Sequence, residues 1–176
     1  MTYPRIFVLV SLLLFCTTIT KAQAPAGSVG QYQLGAGYAS VSGPTDNGIL
    51  LTFSKQLSPR VWVHLKGFML SNPSGVVVTM AGPRYRPPLS ALWKPSGYLD
   101  TSKFLPFVDL NLGAVKSPTG ATTFAYGAGV GLDYQLSNSI TLLVVEYDRI
   151  QSRFFPEGGI NVSNINSVIS GFKFTF

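Results

Sequence analysis

From Phe124 to Leu136 the chain alternates without a break. Phe124, Tyr126, Ala128, Val130, Leu132, Tyr134 and Leu136 share one parity; Ala125, Gly127, Gly129, Gly131, Asp133 and Gln135 share the other. A period of two marks a strand whose two faces meet different surroundings. The second face of an ordinary soluble strand carries Lys, Glu and Thr. Three glycines in register predict instead a face pressed against a crowded interior.

The same period recurs along the chain. Gln31–Val41 places Tyr32, Leu34, Ala36 and Tyr38 together, and Gly48–Leu57 does so with Ile49, Leu51 and Phe53. Arg60–Leu70 sets Val61, Val63, Leu65 and Met69 against His64 and Lys66. Val76–Arg86 sets Val77, Thr79, Ala81 and Tyr85 against Gly82, Arg84 and Arg86. Phe107–Lys116 opposes Val108, Leu110, Leu112 and Ala114 to Asp109, Asn111 and Gly113. Ile140–Arg153 opposes Leu143, Val145 and Tyr147 to Glu146 and Asp148. Ile165–Phe176 opposes Phe172, Phe174 and Phe176 to Lys173 and Thr175. Most of these segments are about 10 residues long, the length a tilted strand needs to cross a bilayer.

Turn chemistry separates them: Ser42–Asn47, Ser71–Ser74, Ser117–Gly120 and Phe155–Gly159 on one side, Gln56–Arg60 and Leu136–Ser139 on the other. Pro87–Pro106 is a longer connection on the side where short turns are expected, so either it packs as a plug or partner-contact segment or one strand is misassigned. With 18 Gly and 12 Pro, long helices are excluded. A single Cys and a single His exclude a disulfide framework and a multi-histidine metal site.

Residues 1–24 read as a secretory signal. Arg5 is the charged start and Ile6–Cys16 the apolar run, with cleavage expected after Ala22 or Ala24. The run falls short of the roughly 20 residues of a spanning helix. Residues 25–176 then form one domain.

Alternation alone leaves two solutions, a soluble barrel with its apolar face inward or a membrane barrel with that face in lipid. Three features favour lipid. Lys66, Arg84, Arg86, Asp109, Asp133, Glu146 and Asp148 all have the parity opposite to the apolar residues, as a mutually paired polar lumen requires. Charged residues are only 11% of the chain, thin for a soluble surface. The final strand carries Phe172, Phe174 and Phe176 at every second position. The expected fold is all-β, an eight-stranded antiparallel transmembrane up-and-down β-barrel. With both termini in the periplasm, the segments around Gly43, Pro73, Pro118 and Pro156 face outward.

Gly82-Pro83-Arg84-Tyr85, Pro106-Phe107-Val108, Gly129-Val130-Gly131-Leu132-Asp133-Tyr134, Glu146-Tyr147 and the Gly171-Phe172-Lys173-Phe174-Thr175-Phe176 ending occur in this order across nearly the whole predicted domain. In this the chain resembles the small outer-membrane β-barrels of Gram-negative bacteria, the OmpA-like and porin-like eight-stranded group. The resemblance implies outer-membrane residence among lipid and lipopolysaccharide. It also implies that Phe172, Phe174 and Phe176 serve as the signal read by the barrel-assembly machinery. It implies no single task, because one scaffold hosts structural, adhesive, channel and enzymatic members.

The function expected is structural or interaction-based, with a small gated pore as a further option. No enzyme activity, cofactor, metal or nucleic-acid partner is expected. Two alternatives stay open: a secreted soluble barrel holding a small apolar ligand, and a lipid-modifying membrane enzyme using His64. Lys66, Arg84, Arg86, Asp109, Asp133, Glu146 and Asp148 are expected to form a lumen network, because unpaired buried charge is costly.

Overall fold

A computed structural model describes residues 30–42, 47–71, 75–88, 101–116, 120–152 and 164–176. The signal segment at residues 1–24 lies outside these, as do residues 89–100 of the long connection and the centres of the segments around Gly43, Pro73, Pro118 and Pro156. The strands are β1 (Tyr32–Ser42), β2 (Asn47–Gln56), β3 (Val61–Ser71), β4 (Val77–Tyr85), β5 (Phe104–Lys116), β6 (Thr122–Gln135), β7 (Ile140–Ser152) and β8 (Asn164–Thr175). Each pairs antiparallel with the next, and β8 returns to β1 to close the barrel. No helix among the described residues is long and apolar enough to cross a membrane.

Closure is fastened at one point by backbone and side chain together. Tyr32 N–H donates to the Phe176 carbonyl and Phe176 N–H to the Tyr32 carbonyl, both at 3.0 Å. Outside the barrel the Tyr32 ring stacks between Phe176 (6.0 Å) and Phe53 (5.9 Å). The same end holds two turns of one construction. Leu57-Ser58 and Leu136-Ser137 send paired N–H groups to the carbonyls of Val61 and Ile140. The two serine hydroxyls accept from the Val61 and Ile140 amides at 3.2 and 3.1 Å. We call this the turn end, and the opposite end, where residues 43–46, 72–74, 117–119 and 153–163 join the strands, the loop end.

Two features depart from the strict strand pattern. β5 begins at Phe104, not Phe107, because a single 3-10 turn at Thr101–Lys103 delivers the chain to the sheet earlier. The long connection is correspondingly shorter than Pro87–Pro106. In β7, Leu143 points into the lumen and is 2% exposed, not outward with Val145 and Tyr147. A bulge leaves Val144 and Val145 both outside, and the pairing with β8 shifts between Leu143 and Glu146. One extra residue inverts parity, so the strand points Leu143 inward below the bulge and Glu146 inward above it.

The two faces are chemically inverted relative to a soluble barrel. Leu34, Ile49, Leu51, Leu65, Met69, Val108, Leu110, Leu112, Val130 and Phe172 are exposed on the outside. The lumen is layered. Toward the loop end Ala39, Leu50, Phe68, Leu70, Val78, Met80, Val115, Ile150, Ile165 and Ile169 belong to one apolar cluster, none more than 3% exposed. Charged groups fill the middle, and a cavity of about 540 Å³ opens at the turn end.

Candidate functional site: the charged layer of the lumen

β3, β4, β5, β6, β7 and β8 each contribute inward charges at mid-barrel height. Lys66 on β3 donates to Glu146 Oε1 at 2.8 Å and to both oxygens of Asp148 at 2.7 Å, with Asp109 Oδ2 at 3.7 Å. Arg84 on β4 grips Asp109 with two parallel bonds, Nε to Oδ1 at 2.8 Å and Nη2 to Oδ2 at 2.7 Å. The same Nη2 reaches Glu146 Oε2 at 3.1 Å. Such two-point bonds are the strong form of an arginine–carboxylate contact.

A second group lies nearer the turn end. Lys173 on β8 donates to both oxygens of Asp133 at 2.7 and 2.9 Å. Arg86 Nη2 donates to Asp133 Oδ2 at 2.8 Å and to Gln33 Oε1 at 3.3 Å. The Phe107 ring joins the two groups, with the Arg84 guanidinium 3.8 Å and the Lys173 ammonium 4.7 Å from its centroid. Four cations, Lys66, Arg84, Arg86 and Lys173, therefore meet four carboxylates, Asp109, Asp133, Glu146 and Asp148. Every acidic side chain among the described residues is in this layer. Lys55, Arg60, Lys103, Lys116 and Arg149, by contrast, are exposed.

The seven charged residues singled out by parity thus share the lumen. Lys173 was not among them, although its parity opposite Phe172 and Phe174 was the available signal. His64 belongs here too. Its Nε2 lies 2.7 Å from Asn111 Oδ1, and the ring is 2% exposed. Asp109, Glu146 and Asp148 bring carboxylate oxygens within 4.8 Å of one another, a spacing open to a cation. The Lys66 ammonium already bonds two of the three and stands near the third, so the lysine supplies that cation covalently. Phe172, Phe174 and Phe176 lie on the outer face at the turn end, with Phe172 the most exposed.

Two of the three glycines of β6 follow from this layer. A Cβ on Gly131 would run into the Phe107 ring, and one on Gly129 into the Asp148 carboxylate. Phe107 cannot retreat easily between Arg84 and Lys173. Gly131→Ala is expected to destabilise the barrel by about 1–3 kcal/mol through overpacking. Gly67→Ala is the control. Its nearest neighbour would be the Val78 carbonyl at 3.7 Å, so the effect there is neutral or stabilising by up to about 1 kcal/mol. Urea midpoints of the two variants in the same detergent check this.

Neither a protein-family model nor a curated protein sequence matches the chain. Solved structures do match. The N-terminal β-barrel domain of Pseudomonas aeruginosa OprF superposes with a TM-score of 0.57 at 12% identity, covering 84% of this chain and 98% of that one. The outer membrane protein OprG of the same organism gives 0.56 at 11% identity, covering 84% and 96%. Neisserial surface protein A gives 0.52 at 13% identity, also covering 84% and 96%. At these identities the likeness concerns architecture, and it agrees with the closed β1–β8 ring and the outward apolar face. The fold of this chain is that of the small eight-stranded outer-membrane β-barrels.

Proposed function

We propose that the protein is an integral outer-membrane barrel with a structural or interaction role, not an enzyme and not an open pore. One observation carries this reading: the lumen is closed in layers beneath an apolar outer surface. Water crossing from the turn end would meet the paired charges and then the Leu50, Phe68, Met80 and Ile169 layer. An apolar constriction stops ions even where water reaches it. His64 is enclosed among these groups, remote from any lipid substrate on the outer face.

The outer surface supports the partners. Tyr32, Tyr85, Phe104 and Tyr134 gather toward the turn end and Tyr38, Phe124 and Tyr126 toward the loop end, as interface girdles do. Among the described residues the exposed charges are cationic, and Lys116 and Arg149 lie in the halves of β5 and β7 toward the loop end. With that end outermost, they suit lipopolysaccharide phosphates. Phe172, Phe174 and Phe176 remain our proposed signal for the assembly machinery.

Two measurements test the reading together. Unboiled protein from the outer-membrane fraction is expected to migrate differently from boiled protein on SDS gels. In planar bilayers the wild type is expected to give no sustained conductance. Arg84→Ala removes the two-point grip on Asp109 without touching the apolar layer, so it is expected to stay closed. Sustained wild-type currents would overturn the closed-lumen reading, and currents appearing only in Arg84→Ala would make the protein a gated pore. Soluble protein with no mobility shift would overturn membrane residence itself.

A further inference from the structure

The cavity at the turn end is cut off from the loop end by the charged and apolar layers, so it is a blind vestibule, not a pore mouth. Its volume of about 540 Å³ falls within the span typical of small-molecule sites, roughly 300–1,000 Å³. Its wall is chemically one-sided. Gln31, Gln33, Gln56 and Gln135 present amides, Arg60 and Arg86 present guanidinium groups, and none of the described residues that line it is acidic.

Three polar atoms in this wall have no hydrogen-bond partner among the described residues: Gln56 Oε1, Trp62 Nε1 and Arg86 Nε. Gln56 is 6% and Trp62 3% exposed. Each of the three atoms exposes almost no surface, so a guest meets it once the side chain that bears it turns toward the cavity. Arg86 holds Asp133 and Gln33 through Nη2, while its guanidinium lies over the Trp62 ring at 4.7 Å. The fork is thereby fixed with its Nε–H unspent. Two unspent donors and one unspent acceptor, set among glutamine amides, match a guest that carries both peptide groups and negative charge. A side-chain amide offers one donor and one acceptor, the same pair a peptide bond offers. A guanidinium favours a carboxylate, and Arg60 is an exposed one at the rim.

We propose that the vestibule is a binding site for a small peptide-like carboxylate, entered from the turn end. The carboxylate pairs with Arg60 and with the Nε–H of Arg86. The amide groups of the guest pair with Gln56, the Trp62 indole N–H and Gln135. The proposal does not depend on membrane residence, since it uses only the lumen.

The test follows the Trp62 indole N–H. The chain has two tryptophans, so Trp93→Phe leaves Trp62 as the single indole. The ¹⁵N-labelled protein, folded in detergent micelles, is titrated with N-acetyl-trialanine and separately with the same tripeptide as its C-terminal amide. The acid is expected to shift the indole resonance saturably. The amide form is expected to bind about tenfold more weakly, the scale of one charged hydrogen bond. Arg60→Gln, a change in an exposed turn, is expected to weaken the acid by a similar factor while the heat-dependent mobility shift persists. The proposal is overturned if the acid gives no saturable shift at about 10 mM, where a millimolar site is mostly filled. Equal binding of acid and amide, or unchanged binding in Arg60→Gln, overturns it as well.

Discussion

Lys66→Met is expected to cost the barrel about 3–5 kcal/mol, the range for removing one partner from a buried ion pair. The side chain is fully enclosed, and Met nearly conserves its volume, so the loss is electrostatic and not a cavity effect. Asp148 is the residue stranded. Its two carboxylate oxygens accept from Lys66 alone among the hydrogen bonds of the layer, whereas Glu146 and Asp109 keep Arg84. Three carboxylates would then share one guanidinium. Lys66→Met combined with Asp148→Asn is expected to recover at least half of the loss, because it removes the stranded charge. Urea unfolding of the single and double variants in lipid vesicles measures both. A single variant within about 0.5 kcal/mol of wild type, the usual scale of a surface change, would sink the lumen assignment.

Leu110→Arg gives the second large effect and tests orientation directly. Leu110 lies on β5 between Asp109 and Asn111, which point inward, and is itself 65% exposed. On a soluble protein an exposed Leu→Arg change is within about 0.5 kcal/mol of neutral. On the lipid face of a barrel at mid-height it costs about 2–4 kcal/mol. Asn111→Arg would not discriminate, since it buries a charge in either setting. The same substitution at Lys55, near the turn end of β2, is a matched control because a cation already stands there. Lys55→Arg is expected to change nothing, and Leu110→Arg to lower the urea midpoint clearly. A neutral Leu110→Arg would mean that the outer face meets water.

Most of the strand layout was legible because every barrel strand obeys one rule, and a period of two is visible in as few as six residues. Phe124–Leu136 reads as β6 almost to the residue, and the lumen charges fall out of the same parity. The failures share a cause. Leu142-Leu143-Val144-Val145 is an unbroken apolar run, so nothing in it marks where the phase slips. The bulge is decided by the need to point Glu146 and Asp148 at Lys66 while β7 keeps its pairing with β6 and β8. Phe104–Pro106 was hidden by its proline, which argues against a strand in sequence but is tolerated near the first residues of one. Pairings within the lumen, such as Lys173 with Asp133 or His64 with Asn111, depend on register between distant strands and have no local signature.

The seam between Tyr32 and Phe176 carries a consequence for how the molecule comes into being. Gln33 and Thr175, neighbours across that seam, are 142 positions apart in the chain. Each of the other interstrand joints links strands that follow one another directly and can form early. The β1–β8 joint must wait until β8 has been delivered, and until then both β1 and β8 present unpaired edges. Long-range pairing of this kind is slow and exposed to aggregation. Closing the ring is therefore the one long-range step among the eight joints, in which the first strand has to find the eighth.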